Sequence, residues 1–210
     1  AKLFVEEIIK SKKFKKFSSV RCDFYGSLAL TGKGHGTDKA AILGLKGLCP
    51  ESIDSDLIPE ILKSVKKDKT LSMTFGKHKK EIKFNIRESI KFNRRVSLPY
   101  HPNGMMFSAL DEDGATIFKR VYFSVGGGFV LDEDEVQSNK DFDNQEVKVK
   151  YPFKSGNQLI DICEKEDISI SKLMLENEKS WRDESEIKEG LLKFWKVMES
   201  CVKRGLKNEG

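Results

Sequence analysis

Three loop-like segments hold the residues best suited to chemistry. The first is Gly32-Lys33-Gly34-His35-Gly36-Thr37-Asp38. Glycines let backbone N–H groups approach an anion closely, and a helix starting there adds a favourable dipole. Lys33 would add positive charge and Thr37 a hydroxyl. His35 stands among the glycines as an exposed acid/base would, because an imidazole titrates near neutrality. The spacing is not that of a Walker loop, which needs four residues between its glycines and then Gly-Lys-Ser/Thr, nor that of a dinucleotide fingerprint. Spacing alone weighs a chemical loop and a plain turn with an incidental histidine evenly.

The second segment is His101-Pro102-Asn103-Gly104-Met105. Asn and His on a rigid loop can hold a carboxylate or an amino group, although an ordinary turn is the simpler account. The third is Tyr122-Phe123-Ser124-Val125-Gly126-Gly127-Gly128-Phe129. Successive glycines cost conformational entropy, so Gly126 and Gly127 point to close backbone approach by a helix or a ligand, with Ser124 just before them. The chain has no Gly-x-Ser-x-Gly elbow, so nothing supports a serine hydrolase. Of three histidines, His35 and His101 lie in these segments, while His78 sits in a Lys-rich turn and reads as solvated.

The elements that must position these loops follow from periodicity. Leu3, Phe4, Ile8 and Ile9 predict an opening amphipathic helix. Val20, Cys22 and Phe24 alternate with Arg21, Asp23 and Tyr25, which predicts a strand running into the first glycine loop. Thr37 or Asp38 is placed to cap a helix carrying Ala41, Ile42 and Leu45. Ser55 to Lys67 reads as a helix. Leu71–Phe75 and Ile82–Phe84 read as strands about a turn, and Met105–Leu110 and Ala115–Val125 as a hairpin about Asp111-Glu112-Asp113-Gly114. Residues 132–146 read as an acidic, mobile loop. After Pro152 the pattern becomes helical. Ile187, Leu191, Phe194, Met198 and Cys201 advance by four, three, four and three, a stripe expected to be core. The fold class is α+β: a mixed sheet with helices packed on it over residues 1–150, then a helical segment over 151–210.

Composition bounds the class. The 210 residues carry 38 basic and 33 acidic side chains, a net charge of only +5. Such a chain buries roughly 70% of its unfolded surface without staples. With 34% charged and 38% hydrophobic residues it is globular rather than disordered. No apolar run reaches the ~18 residues of a membrane span, and no signal peptide opens the chain. The runs Lys10–Lys16 and Lys77–Lys83 lack interleaved aromatics, so nucleic acid is not an expected partner. Cys22, Cys49, Cys163 and Cys201 are widely spaced with no CxxC, so no metal site is expected in this chain. A reducing, cytoplasmic setting is the simplest reading. Cys22 and Cys201 are expected to be buried thiols. The chain opens on Ala within a helix, which suggests a piece of something longer.

The three loops, in this order, resemble the N-terminal domain of the bacterial iron–sulfur-dependent L-serine dehydratases. Tyr25-Gly26-Ser27-Leu28-Ala29-Leu30-Thr31-Gly32-Lys33-Gly34-His35-Gly36-Thr37-Asp38 carries most of the match. The second and third loops, Tyr151-Pro152-Phe153-Lys154-Ser155 and the closing Arg204–Gly210 continue it. The family's Ser-Ser-Ser-His-Thr segment, expected before the first helix, lies outside this chain.

The resemblance implies conversion of L-serine to pyruvate and ammonia without pyridoxal phosphate. In the family a four-iron, four-sulfur cluster, held by cysteines of a C-terminal catalytic domain, grips the substrate hydroxyl as a Lewis acid. The N-terminal domain is similar to the allosteric substrate-binding domain of some phosphoglycerate dehydrogenases, closes over the cluster and contributes side chains. On that basis His35, Asn103 and Ser124 are the catalytic candidates, and Thr37, Lys33, His101, Gly126 and Gly127 the substrate-binding ones. No cluster ligand falls on the four cysteines, so the chain alone is expected to be inactive. The cluster-binding domain and a second copy in a homodimer are the expected partners. The alternative is a non-catalytic regulatory module that binds serine or a related small acid.

Overall fold

A computed structural model describes residues 1–138 and 147–207. The chain divides into two compact units, residues 1–140 and 141–210. The first unit is built on β1 (Ser19–Tyr25), β2 (Thr70–Phe75), β3 (His78–Lys83), β4 (Ile90–Asn93), β5 (Gly104–Leu110), β6 (Thr116–Gly126) and β7 (Phe129–Asp132). These form one seven-stranded sheet in the order β2-β3-β1-β5-β6-β7, with β4 paired to β1 as well. β1 runs parallel to β3 and β4, while β5 lies antiparallel to β1 and β6. With its helices the unit is a mixed α+β fold.

Alternation explains β1. Val20, Cys22 and Phe24 enter the core, and burial pushes the Cys22 thiol up to about 12. α1 (Lys2–Lys10) lays Phe4, Val5 and Ile8 on that face. The Phe4 ring centroid is 5.6 Å from those of both Phe107 and Phe118. Each such side chain contributes about 1.5–3 kcal/mol by burial. A polar anchor ties α1 to β6: the Tyr122 hydroxyl donates to Glu7, and Arg120 pairs with the same carboxylate at 2.6 Å. Burial and that carboxylate raise the Tyr122 pKa. α2 (Gly26–Thr31) and α3 (Thr37–Lys46) follow β1, and α3 buries Ala41, Ile42 and Leu45. α4 (Ile58–Asp68), the single turn α5 (Ile86–Ser89) and α6 (Glu133–Gln137) complete the unit.

Three readings need correction. α2 occupies residues read as running straight into a loop; it is too short for a helical period to show. β4 and β7 each have four residues and were not anticipated. Of the acidic stretch 132–146, Asp132 caps α6 in a reciprocal box with Glu135, and residues 139–146 lie outside the described ones.

The second unit holds α7 (Gly156–Glu166), α8 (Ile170–Glu178) and α9 (Glu184–Gly205). Ser155, Ser169 and Asp183 cap them, each side chain accepting from an N–H of the first turn. Asn177 and Tyr151 bond reciprocally, at 2.7 and 2.8 Å. Glu176 gathers Lys150, Lys172 and Lys179 at 2.8–3.2 Å, and these ammonium groups hold its carboxyl down to about 2. The expectation of a buried stripe on α9 fails. Ile187 is buried, but Leu191, Phe194, Met198 and Cys201 are exposed. α8 has nine residues against 22 in α9, so it covers only the start of that face.

Candidate active site

The topology brings the start of α2 and the second and third loops to one end of the sheet. β4 is parallel to β1, so Tyr25 and Asn93 pair at the same end. β5 is antiparallel to β1 and begins there with Gly104, which pairs with Phe123 near the end of β6. The chain therefore leaves β1 into α2, leaves β4 into the segment 94–103, and leaves β6 into the glycine turn, all at this end.

Packing fixes how α2 starts. Gly26 has φ +54, and a Cβ there would lie 2.3 Å from the Pro102 carbonyl oxygen. Its N–H donates to Val96 O, and the Ser27 N–H donates to Pro102 O at 2.9 Å. The start of α2 is thus bonded to the second loop. His35 lies beyond the far end of α2, whose six residues span roughly 9 Å.

The first glycine segment joins two helices, not a strand to a helix. A Cβ on Gly32 would sit 2.2 Å from Leu28 O and 2.8 Å from the Thr37 hydroxyl oxygen. The N–H groups of Gly32, Gly34, His35, Gly36 and Thr37 donate to Leu28, Thr31, Thr31, Lys33 and Gly32 carbonyls respectively. These five N–H groups of the bend are spent on itself and are not offered to an anion. Gly36, rather than Thr37 or Asp38, is the N-cap of α3. What the bend offers outward is side chains. Lys33 and His35 are exposed, Thr37 is half-buried, and the His35 imidazole makes no hydrogen bond among the described residues.

His101, Asn103 and Ser124 are brought together. The Asn103 backbone N–H donates to His101 Nδ1 at 3.1 Å. A backbone N–H can only donate, so Nδ1 is the acceptor and the ring proton resides on Nε2, free to donate. The Asn103 side-chain amide donates to Ser124 O at 3.2 Å, and the Ser124 N–H to Asn103 O at 3.0 Å. This pair clamps the entry of β5 to the exit of β6 and leaves the Ser124 hydroxyl and one Asn103 N–H for a ligand. Tyr100 crosses this loop with φ +79 and its ring edge on Phe123. That is a strained conformation for a bulky residue.

Gly126 and Gly127 answer to a different cause. Gly126, Gly127 and Gly128 have φ of +102, +59 and +84 and turn β6 into β7. A Cβ added at Gly126 or Gly128 would meet nothing within 4 Å, and one at Gly127 would meet only the Phe129 ring. A tight hairpin demands this backbone without any ligand approaching.

Sequence reasoning missed the buried polar group beneath this end. Asp23 is buried and accepts from Arg21 at 2.8 Å and from Asn93 at 3.4 Å. Tyr25 lies on the same face, and burial and the Asp23 charge raise its pKa. The alternation of Arg21, Asp23 and Tyr25 was the available signal. It marks the face, but not that neighbouring strands bury it.

The family model described as serine dehydratase beta chain matches residues 1–135. The chain belongs to the serine dehydratase beta chain family. Curated relatives of this family agree over the whole chain. It is 43% identical over 210 residues to L-serine dehydratase of Streptomyces coelicolor, covering 45% of that protein. It is 37% identical over 209 residues to L-serine dehydratase 1 of Escherichia coli and 35% over 209 to L-serine dehydratase of Haemophilus influenzae, covering 44% and 45% of them. The chain therefore spans less than half the length of these relatives. A cluster does not fit the residues present. Among the described residues no group of three His, Cys, Asp or Glu could hold a metal; Cys22 is buried in the core of the first unit, and Cys201 is exposed on the second. Among the same residues no helix is long and apolar enough to cross a membrane.

Proposed function

We propose that this chain is the part of an L-serine dehydratase that brings His35 to the α-carbon of L-serine, in a reaction yielding pyruvate and ammonia. The observation that carries the reading is the match of all 210 residues to proteins named L-serine dehydratase. The α-proton of an amino acid is weakly acidic, so its removal needs a base that is unprotonated near neutrality. His35 is exposed on a bend fixed by Gly32 packing, and neither ring nitrogen is occupied among the described residues. It takes the α-proton. The C–H electron pair becomes the Cα–Cβ double bond as the β-hydroxyl takes a proton from solvent and departs as water, and His35 returns the α-proton to solvent, so the protons balance. The aminoacrylate tautomerises to an imine, and water converts it to pyruvate and ammonia.

Lys33 lies two residues from the base and attracts the substrate carboxylate. Thr37, His101 Nε2–H, the free Asn103 N–H and the Ser124 hydroxyl are the remaining polar groups proposed to orient it. Gly126 and Gly127 shape the hairpin and are not assigned a contact. No pyridoxal phosphate is invoked. The iron–sulfur cluster that the resemblance implies is assigned to a portion of the enzyme outside this chain, and no step here runs through it.

The test is His35→Ala in the enzyme made by fusing the unmatched remainder of the Streptomyces coelicolor relative after Gly210. Loss of a general base costs about 10²–10⁴ in turnover. Pyruvate formation from L-serine is expected to fall by that factor while the visible absorption of the protein stays unchanged. Turnover within a factor of a few of the unsubstituted fusion would remove His35 from the role.

A second reading is favoured by a cleft at the opposite end of β1. It has a volume of about 460 Å³ and is lined by Ser19, Arg21, Lys69, Lys83, Asn85 and Glu88 among others. Its cations suit a small carboxylate acting as a regulator. Calorimetry of the chain with L-serine, repeated with Lys83→Ala, separates the two. Binding lost in that variant favours the regulatory module, and binding lost in His35→Ala favours the catalytic one.

A further inference from the structure

α9 carries a surface that the described residues of its own unit leave uncovered. Leu191, Phe194, Trp195, Met198, Val202 and Leu206 share one side of it and are each between 60% and 84% exposed. Glu189, Lys193, Lys196, Ser200 and Lys203 repeat at four, three, four and three on the opposite side. The helix is therefore amphipathic, and from Leu191 onward its apolar side is as exposed as its polar one. At roughly 100 Å² apiece the six side chains expose about 600 Å² of apolar surface. That is at the top of the range for a monomer's largest patch and close to one partner's share of a stable interface. At its start the side deepens into a groove of about 470 Å³ between α8 and α9, lined by Met174, Leu175, Ile187, Gly190, Leu191 and Phe194.

From this we infer that the apolar side of α9, with the α8–α9 groove, is the seat of the part of the polypeptide present in the longer relatives and outside this chain. The inference rests on the L-serine dehydratase reading for what that part is. Length favours this occupant. The chain covers 45% of the Streptomyces coelicolor relative, so more than half of such a protein must pack somewhere. The docking contact is apolar and shape-driven, and it commits that portion to the second unit.

The test compares the 210-residue chain with the fusion described above, both carrying Trp181→Phe and the fused remainder carrying Phe in place of every tryptophan of its own, so that Trp195 is the sole tryptophan in each. Acrylamide quenching and sedimentation are read. In the chain alone Trp195 is expected to quench like an exposed indole. In the fusion its quenching constant is expected to fall at least threefold, and Leu191→Asp with Met198→Asp is expected to restore it. Both positions are exposed, so the same pair leaves the helix content of the chain alone unchanged. Equal quenching in both proteins overturns the proposal. So does protection in the chain alone, whether sedimentation shows a dimer, which assigns the surface to a second copy, or a monomer, which assigns it to the chain itself. Should the fusion fail to fold, the remainder is added as a separate polypeptide, and Trp195 left equally quenched counts against the inference. Pyruvate formation is read in parallel. Pyruvate without Trp195 protection removes the docking surface only, and protection without pyruvate removes the enzymatic reading only.

Discussion

The glycines around His35 separate a packed bend from a loose one, because each has a different neighbourhood. At Gly32 an added Cβ meets the Leu28 backbone oxygen at 2.2 Å and the Thr37 hydroxyl at 2.8 Å. Backbone cannot swing aside as a side-chain tip can, so the last turn of α2 must open and the Thr37 side chain must shift as well, and overpacking of this kind costs up to about 3 kcal/mol. At Gly36 the space is open, but φ is +74, and a left-handed alanine costs roughly 1–2 kcal/mol. At Gly34 the single neighbour is Thr31 O at 3.4 Å and φ is not left-handed. Alanine there restricts the unfolded chain and is worth about 0.4–1 kcal/mol in stability. The expected order of stability is therefore Gly34→Ala above the unsubstituted chain, then Gly36→Ala, then Gly32→Ala. Urea unfolding followed by circular dichroism reads it. Trp181 and Trp195 both lie in the second unit, so tryptophan fluorescence would miss the first. A Gly32→Ala protein as stable as the parent, or a Gly34→Ala protein that is the weakest of the three, would refute the packed bend. The fixed placement of His35 would fall with it.

Three further outcomes follow from the packing and the charges. Iodoacetamide at pH 8 is expected to label Cys201 in the folded chain and to label Cys22 only after unfolding, since burial raises that thiol to about 12; mass spectrometry of the peptides decides. Glu176→Gln is expected to lower the melting temperature of the second unit at pH 7. Its folded carboxyl titrates at about 2 against an ordinary 4.5, so the three lysine contacts contribute fully above pH 4.5 and are lost as pH falls towards 2. The gap between variant and parent should close over that window and not on the alkaline side. Phe4→Ala removes a ring stacked on Phe107 and tilted on Phe118 and is expected to cost about 3–5 kcal/mol in urea unfolding of the first unit.

The amphipathic elements were readable because periodicity reports a face directly. Phe4 and Ile8 on α1 and Val20, Cys22 and Phe24 on β1 went where spacing sent them. The glycine segments were readable as places and misread as causes. A glycine is demanded equally by a close carbonyl, as at Gly32, by a left-handed turn, as at Gly126–Gly128, and by an approaching phosphate. Composition cannot tell these apart, because the distinguishing atom comes from elsewhere in the chain. The same holds for Asp23, whose burial depends on Arg21 beside it and on Asn93, 70 residues later. α9 shows the limit most clearly. Its stripe specifies that something apolar must lie against it, and the reading supplied the nearest candidate, the chain's own core. Ile187 meets that demand and Leu191 onward does not. A stripe that outruns its local partner by several turns is better evidence about the company a chain keeps than about its interior.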